Sequence, residues 1–303
     1  MITLMNETIK QLALIGPTAS GKTSLSIEIA QKMDACILSL DSLSIYKEID
    51  IVSAKPSREE RAGILHYGMD YLSPDEHFDV TTFVKLYQEV YRQALSENKN
   101  LVIVGGTSFY LKMLIEGISD LPAISETTKE KTALMLQELN DAYQFLYDMD
   151  PSYMQRIAKN DRYRIEKALH IYFETGMTPS EYFHVNPPTS VINGTLPIYQ
   201  IDIDREMLRK RIALRTQLML KEGLIDEICM LEKKYTREPN CMKSIGIKET
   251  LDYLDGVYNK QLLEEKITTN TARLAKRQTT FNNSQFEGVI KGNVEELQKI
   301  IVQ

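Results

Sequence analysis

The sequence predicts an α/β fold, a parallel sheet flanked by helices and interrupted by an inserted all-helical domain. Three observations carry this. The octapeptide Gly16-Pro17-Thr18-Ala19-Ser20-Gly21-Lys22-Thr23 matches the pattern G-x-x-x-x-G-K-S/T and stands between a short apolar run and a helical pattern. Short apolar runs alternate with amphipathic stretches around it, and between about 120 and 190 the strand pattern gives way to helical periodicity alone. Together these describe a phosphate-loop NTPase-like sheet.

Leu12–Ile15, Ala35–Leu40 and Leu101–Val104 are continuous apolar runs, as in strands buried on both faces. A helix beginning near Ser24 separates the first two, with Leu25, Ile29 and Met33 on one face. Strand–helix alternation implies right-handed crossovers and a parallel sheet. After Gly117 the texture changes. Asn160-Asp161 can cap a helix with Ile165, Leu169 and Tyr172 on one stripe, and Gly176 can end it. Asn186–Ser190 reads as a linker, and Ile198–Ile203 resumes strand character. The expected division is therefore a catalytic core of residues 1–118 and 196–303 around a helical insertion of residues 119–195. Helices over about 205–221 and 260–281 close the chain, with Arg211 and Arg215 one turn apart.

Hydrophobic residues make up 43% and charged residues 26% of the 303, the balance of a globular protein rather than a disordered or fibrous one. No apolar run reaches membrane-spanning length and the N-terminus has no signal-like pattern, so a cytoplasmic protein without a membrane partner is expected. Cys36, Cys229 and Cys241 are scattered and are expected to be inert, buried or half-buried thiols. The four histidines share no metal-ligand spacing. A net charge of −6 argues against a uniformly basic surface, but basic residues cluster locally. Arg205, Arg209, Lys210, Arg211, Arg215 and Lys221 form one group, and Lys266 to Phe286 contains Arg273, Lys276 and Arg277 with no acid. Either a nucleic-acid footprint or a solvated helix face accounts for them.

The octapeptide carries the clearest chemistry. Its glycines let successive N–H groups turn toward phosphate oxygens at a helix N-terminus, Lys22 supplies a mobile charge, and the Thr23 hydroxyl is placed to ligate Mg²⁺. Two further residues stand where ligands collect in parallel sheets, beyond the carboxyl ends of strands. Asp41 follows the second strand and can act as general base or in a magnesium shell, and Thr107 follows Gly105-Gly106 and can approach a phosphate closely. A small-metabolite kinase and a non-catalytic nucleotide- or RNA-binding module remain open on these residues alone.

Taken together with Leu40-Asp41-Ser42, Ile45-Tyr46-Lys47, Ser53-Ala54-Lys55-Pro56, Val104-Gly105-Gly106-Thr107, Asn160-Asp161 with Arg164, Arg211 with Arg215 and Met219, Ser244-Ile245-Gly246 and Ala275-Lys276-Arg277-Gln278, the octapeptide makes the chain resemble the tRNA dimethylallyltransferase (tRNA isopentenyltransferase) family over nearly its whole length. The resemblance implies transfer of a dimethylallyl group from dimethylallyl diphosphate to N6 of the adenine at tRNA position 37. It implies a Mg²⁺ diphosphate held by Gly16, Pro17, Thr18, Ala19, Ser20, Gly21, Lys22, Thr23 and Arg215, with Asp41 as base and Thr107 on the bridging oxygen. tRNA contacts are implied for Asp41, Ser42, Leu43, Ser44 and Thr107, for Lys129, Asn160, Asp161, Arg162, Tyr163 and Arg164, and for the basic Lys276 and Arg277. The implied partner is an anticodon stem-loop with an A36-A37-A38 context, bound by a monomer. An adenylate isopentenyltransferase, acting on free AMP or ADP, is the nearest alternative. Departures include Phe281-Asn282-Asn283, where family members commonly have Trp-Phe-Arg.

Overall fold

The computed structural model describes residues 8–302. Strand β1 (Gln11–Ile15) is buried along its whole length and leads through the glycine-rich loop into helix α1 (Lys22–Met33). Left-handed residues bound that helix, Gly21 (φ 100°) before it and Asp34 (φ 48°) after it. The sharp exit lets β2 (Ala35–Ser39) follow at once. After an irregular stretch come β3 (His66–Tyr67), α2 (Val80–Ser96), β4 (Asn100–Gly105) and α3 (Ser108–Glu116). Asp79 caps α2 by accepting the Thr82 N–H at 2.8 Å.

Helices α4 (Glu126–Met135), α5 (Leu139–Met149), α6 (Pro151–Met154), α7 (Arg162–Thr175) and α8 (Pro179–Val185) follow. The chain then re-enters the sheet with β5 (Ile198–Ile201) and continues through α9 (Arg205–Glu222), α10 (Leu224–Tyr235), α11 (Ile247–Leu254), α12 (Lys260–Gln285), β6 (Ile290–Gly292) and α13 (Val294–Val302).

All six strands are parallel, in the order β3-β2-β4-β1-β5-β6. Because β4 returns between β1 and β2, the carboxyl ends of these three strands lie side by side, and with them Gly16, Asp41 and Gly106. Successive side chains alternate between two apolar layers. Leu14, Ile37 and Val102 pack with Leu25, Ile29 and Leu297. Ile15, Leu38 and Ile103 pack with Phe83, Tyr87, Leu224, Ile247 and Leu263. Coverage on both faces is why the strands read as unbroken apolar runs.

The chain divides into two compact units, the sheet unit and a helical unit, Glu116–Ser190. The helical unit has its own core of Leu136, Leu146, Met154, Ile165 and Leu169. Within it Asp161 accepts the Arg164 N–H at 3.1 Å to cap α7, and Gly176 (φ 74°) ends that helix. Its two ends meet where Ile118 pairs antiparallel with Thr189. Residues 191–197 instead join the sheet unit. Val191 donates to the Leu114 carbonyl at 3.1 Å, and Pro197 accepts the Ala13 N–H at 2.9 Å. The helical unit thus ends earlier than the expected 195.

Among the described residues no helix is long and apolar enough to cross a membrane. Cys36 and Cys241 are buried, and burial pushes the Cys36 thiol up to about 11. Cys229 corrects the expectation of sheltered thiols: it lies exposed on α10, whose buried stripe is Leu224, Ile228 and Leu231.

Candidate active site

The loop between β1 and α1 holds Ala19 (φ 63°) and Gly21 (φ 100°) in left-handed conformations, the backbone pattern that turns N–H groups inward as an anion nest. Ser20 is 1% exposed, and its Oγ has no hydrogen-bond partner. Lys22 Nζ donates to the carbonyls of Gly16 (2.9 Å) and Pro17 (2.7 Å). Burial, and then the nearby Arg215 guanidinium, push the Lys22 ammonium down to about 7, while Asp41 pulls the other way.

Helix α9 delivers two arginines one turn apart. Arg211 Nη1 donates to Ser20 O at 3.2 Å. Arg215 donates at 3.4 Å both to Thr18 Oγ1 and to Ser53 O, and burial lowers its pKa against the pull of Asp41. Among the described residues neither Lys22 nor Arg215 has a carboxylate ion-pair partner. Sheltered, mutually repelling cations beside an unpartnered hydroxyl form a site for an anion.

Asp41 stands at the end of β2. Its Oδ1 accepts the N–H groups of Leu43 (2.8 Å) and Ser44 (3.1 Å), and Oδ2 makes no hydrogen bond among the described residues. Thr107 at the end of β4 donates its N–H to Leu40 O at 3.1 Å, which ties the two strand ends together. Close approach is the reason for the glycines before it. A Cβ on Gly105 would lie 2.6 Å from Leu40 Cβ, and one on Gly106 2.4 Å from Gln278 Nε2.

Gln278 of α12 latches these pieces. Its Oε1 accepts the Thr18 N–H at 2.9 Å and its Nε2 donates to Gly106 O at 3.1 Å. The resulting cleft has two lobes of about 330 Å³ each, sharing Thr18, Asp41, Ser53, Arg215 and Gln278. One lobe continues along Ala19–Thr23, and the other passes Ser42, Leu43 and Thr107.

Of the sequence-predicted residues, Thr18 to Thr23, Asp41, Ser42, Leu43, Ser44, Thr107 and Arg215 therefore share one cleft. Gly16 and Pro17 are buried and contribute carbonyls to Lys22, and Ser44 is buried with its Oγ 3.1 Å from Ser39 Oγ. Lys276 and Arg277 are exposed on α12 and do not line the cleft. The remaining candidates belong to the helical unit. Lys129 pairs with Glu126 at 2.5 Å, Arg164 with Asp161 at 3.0 Å, and Arg162 donates to Leu136 O at 2.9 Å. Asn160 is exposed, and Tyr163 is 67% exposed with Lys167 Nζ 5.4 Å from its ring.

Sequence reasoning gave no site role to Gln278 or Ser53. For Gln278 a signal exists: Ile267, Thr271, Leu274 and Gln278 recur at helical spacing and all face the second lobe, so the glutamine is the polar member of a mostly apolar stripe. Lys55 has another task. Only 3% of its side chain is exposed, and it is held by Asp50 (2.8 Å), Asp70 (2.6 Å) and the Tyr46 carbonyl (2.5 Å), which fixes the chain beyond β2.

A magnesium ion fits these residues. Thr23 is exposed into the loop lobe with no hydrogen bond to its hydroxyl, and Asp41 lies across the same lobe. These are hard oxygen donors. Among the described residues no three His, Cys, Asp or Glu side chains converge, so such an ion would take its other ligands from a diphosphate and water.

A glycine-rich loop at the head of a parallel sheet, with sheltered cations and a strand-end carboxylate around one cleft, defines a phosphate-loop-type α/β protein. More closely, the chain belongs to the IPP transferase family, whose sequence model matches residues 44–285. A tRNA dimethylallyltransferase of Sulfurovum sp. is 68% identical over 99% of both chains, and one of Sulfurimonas denitrificans is 54% identical over 96% of this chain and 98% of its own. Among solved structures, a full-length tRNA isopentenylpyrophosphate transferase from Bacillus halodurans superposes with a TM-score of 0.71 at 28% identity, covering 96% of this chain and 95% of that one. A eukaryotic dimethylallyltransferase acting on tRNA superposes with a TM-score of 0.82 at 25% identity, covering 94% of this chain and 74% of that one.

Proposed function

We propose that this chain transfers a dimethylallyl group from dimethylallyl diphosphate to N6 of adenosine 37 in tRNA, releasing diphosphate. One observation carries the chemistry. The unpartnered Asp41 Oδ2 shares a cleft with the sheltered cations Lys22 and Arg215, so a proton acceptor and an anion site face one volume. The names of the relatives support the substrates.

The loop amides, Lys22 and Arg215 bind the diphosphate and stabilise its charge as the C1–O bond breaks. Thr107 donates its hydroxyl to the bridging oxygen as that atom takes the electron pair. The adenine amine is a weak nucleophile, and Asp41 Oδ2 accepts its proton as the N6–C1 bond forms. Oδ1, bound to two amides, keeps the carboxylate oriented. Magnesium, when bound, adds charge neutralisation on the diphosphate, with Thr23 as the residue present to hold it.

A stacked base cannot reach a carboxylate inside a cleft, so A37 flips out of an anticodon loop carrying A36-A37-A38. Ser42, Leu43 and Ser44 with Thr107 meet the base and its neighbours. Lys129, Asn160, Asp161, Arg162, Tyr163 and Arg164, together with Lys276 and Arg277, hold the RNA. The enzyme acts as a cytoplasmic monomer. Incubation with dimethylallyl diphosphate and tRNA lacking the modification, followed by nucleoside analysis, is expected to yield N6-(dimethylallyl)adenosine and one diphosphate per transfer. Equal efficiency on AMP, or release of ADP from ATP without prenyl transfer, would overturn this reading.

A further inference from the structure

Outside the cleft, α9 and α12 enclose a second groove of about 870 Å³ on the sheet unit. Its floor is aliphatic, from Leu208 and Ile212 on α9 and Ala272 and Ala275 on α12. Its rim is cationic, with Arg205, Arg209 and Lys210 from one helix and Arg273 and Lys276 from the other, and no Asp or Glu lines it. Asp204 and Glu206 stand at the start of α9, but Asp204 is committed to capping that helix and neither borders the groove.

These cations differ from many others on the surface. The chain carries a net charge of −6, and Lys99, Lys234 and Arg237 each contact a carboxylate, Asp34 at 2.7 Å, Glu48 at 2.7 Å and Asp255 at 2.6 Å. Arg205, Arg209, Lys210 and Lys276 have no hydrogen-bond or ion-pair partner among the described residues, and Arg273 donates only to Asn270 Oδ1 at 3.2 Å. Arg205 and Arg209 on α9, and Arg273 and Lys276 on α12, are like charges one turn apart, with Cβ atoms ~5–6 Å from each other in helix geometry, and such pairs repel. A polyanion in the groove relieves that repulsion.

We propose that this groove seats the sugar–phosphate backbone of the tRNA substrate, with Arg205, Arg209, Lys210 and Arg273 contacting phosphates beside Lys276. The inference rests on the tRNA-modifying function proposed above. The groove adjoins the cleft, for Ile212 lines both it and the second lobe, and on α12 Ala275 faces the groove while its neighbour Leu274 faces the cleft. A strand whose base enters the cleft therefore carries its adjoining phosphates past the rim, ~5–11 Å or one to two helical turns away. Thr269 and Thr280 add hydroxyls of the kind that bind phosphate oxygens, and the aliphatic floor suits ribose faces.

The test is tRNA binding by the full-length enzyme across a salt series, comparing wild type with the combined Arg205→Gln, Arg209→Gln, Lys210→Gln and Arg273→Gln variant and, separately, with Arg277→Gln, an exposed cation of α12 that does not line the groove. Each lost phosphate contact lowers the slope of log affinity against log salt by roughly one, so the four-fold variant is expected to flatten it by about two to four. KM for tRNA rises, and affinity for dimethylallyl diphosphate is kept. Should the four-fold variant misfold, Arg209→Gln and Arg273→Gln, on separate helices, each test one contact. An unchanged slope in the groove variants with a flattened one in Arg277→Gln overturns the groove and leaves the tRNA function standing. An unchanged tRNA slope with lost binding of polyglutamate makes it an acidic-protein site and equally overturns the proposal. A wild-type enzyme that neither binds nor prenylates tRNA refutes the function itself.

Discussion

Asp41 divides its carboxylate between two tasks, since Oδ1 accepts two amides of its own turn while Oδ2 is left for chemistry. Asp41→Asn keeps the shape and one acceptor but no longer takes a proton. Its turnover is expected to fall about 10²–10⁴-fold while both substrates still bind. Near-normal single-turnover rates would remove Asp41 from the base role. Lys22 gives a pH signature, because its native pKa of about 7 lies well below the ordinary lysine value. A bound diphosphate restores the charged form, so its binding takes up a proton at pH 8, and affinity weakens as pH rises above about 7. Calorimetry in buffers of different ionisation enthalpy measures the uptake, and Lys22→Met is expected to abolish it. Uptake that persists in that variant assigns the proton elsewhere. The same shift bears on folding. The native state binds fewer protons than the unfolded chain between about 7 and the ordinary value, so this group's contribution to stability rises with pH across that window. Asp41 and Lys22 are legible in sequence because strand ends and a loop motif mark their places. Ser53 is not, since only the fold brings its carbonyl to Arg215.

Helix α12 works along one face for some five turns. Leu263 and Ile267 enter the core, Thr271 and Leu274 line the second lobe, Gln278 joins Thr18 to Gly106, and Asn282 is buried one turn further on. Asn282 is 1% exposed, and neither its Oδ1 nor its Nδ2 has a partner. Gln200 Oε1 on β5 is similarly unpartnered, and Gln200 Nε2 donates to the adjacent Asn283 at 3.1 Å. A buried unsatisfied amide costs about 1–3 kcal/mol, so Asn282→Leu, close to it in shape, is expected to raise the thermal midpoint. A lowered midpoint would mean that ordered water satisfies the amide. This element also marks where sequence reading stops. The departure at 281–283 is visible in the chain, but the burial of only its middle residue depends on how α12 lies against the sheet. The long helices and the doubly covered strands are readable from periodicity. The strands β3 and β6 are not, because two half-buried residues in the one and two exposed residues with a buried glycine in the other carry no period and gain their pairing from β2 and β5.

At the scale of the whole molecule, the sheet unit is closed without the helical one. The Val191 N–H donates to Leu114 O, which brings the two ends of the interruption together within the sheet unit, and Gln11 Nε2 donates to Asn193 O at 2.6 Å just beyond. The helical unit is pinched off in the same way. Gly117 (φ 86°) lies so near Thr189 that a Cβ there would stand 2.1 Å from its carbonyl oxygen. Each unit also has a hydrophobic core of its own, and the glycine-rich loop, Asp41, Thr107, Arg215 and Gln278 all come from the sheet unit. Replacing residues 117–189 with a short glycine linker is therefore expected to leave a folded core that binds dimethylallyl diphosphate. Its capacity to modify RNA depends on what the helical unit does. If Lys129, Asn160 and Tyr163 hold the anticodon stem-loop, transfer to an A36-A37-A38 stem-loop is expected to fall at least a hundredfold through KM, and AMP remains a poor acceptor. A shortened enzyme that prenylates the stem-loop at the wild-type rate would show that the sheet unit alone grips the RNA. One that gains activity on AMP would instead make the helical unit a barrier against free nucleotides.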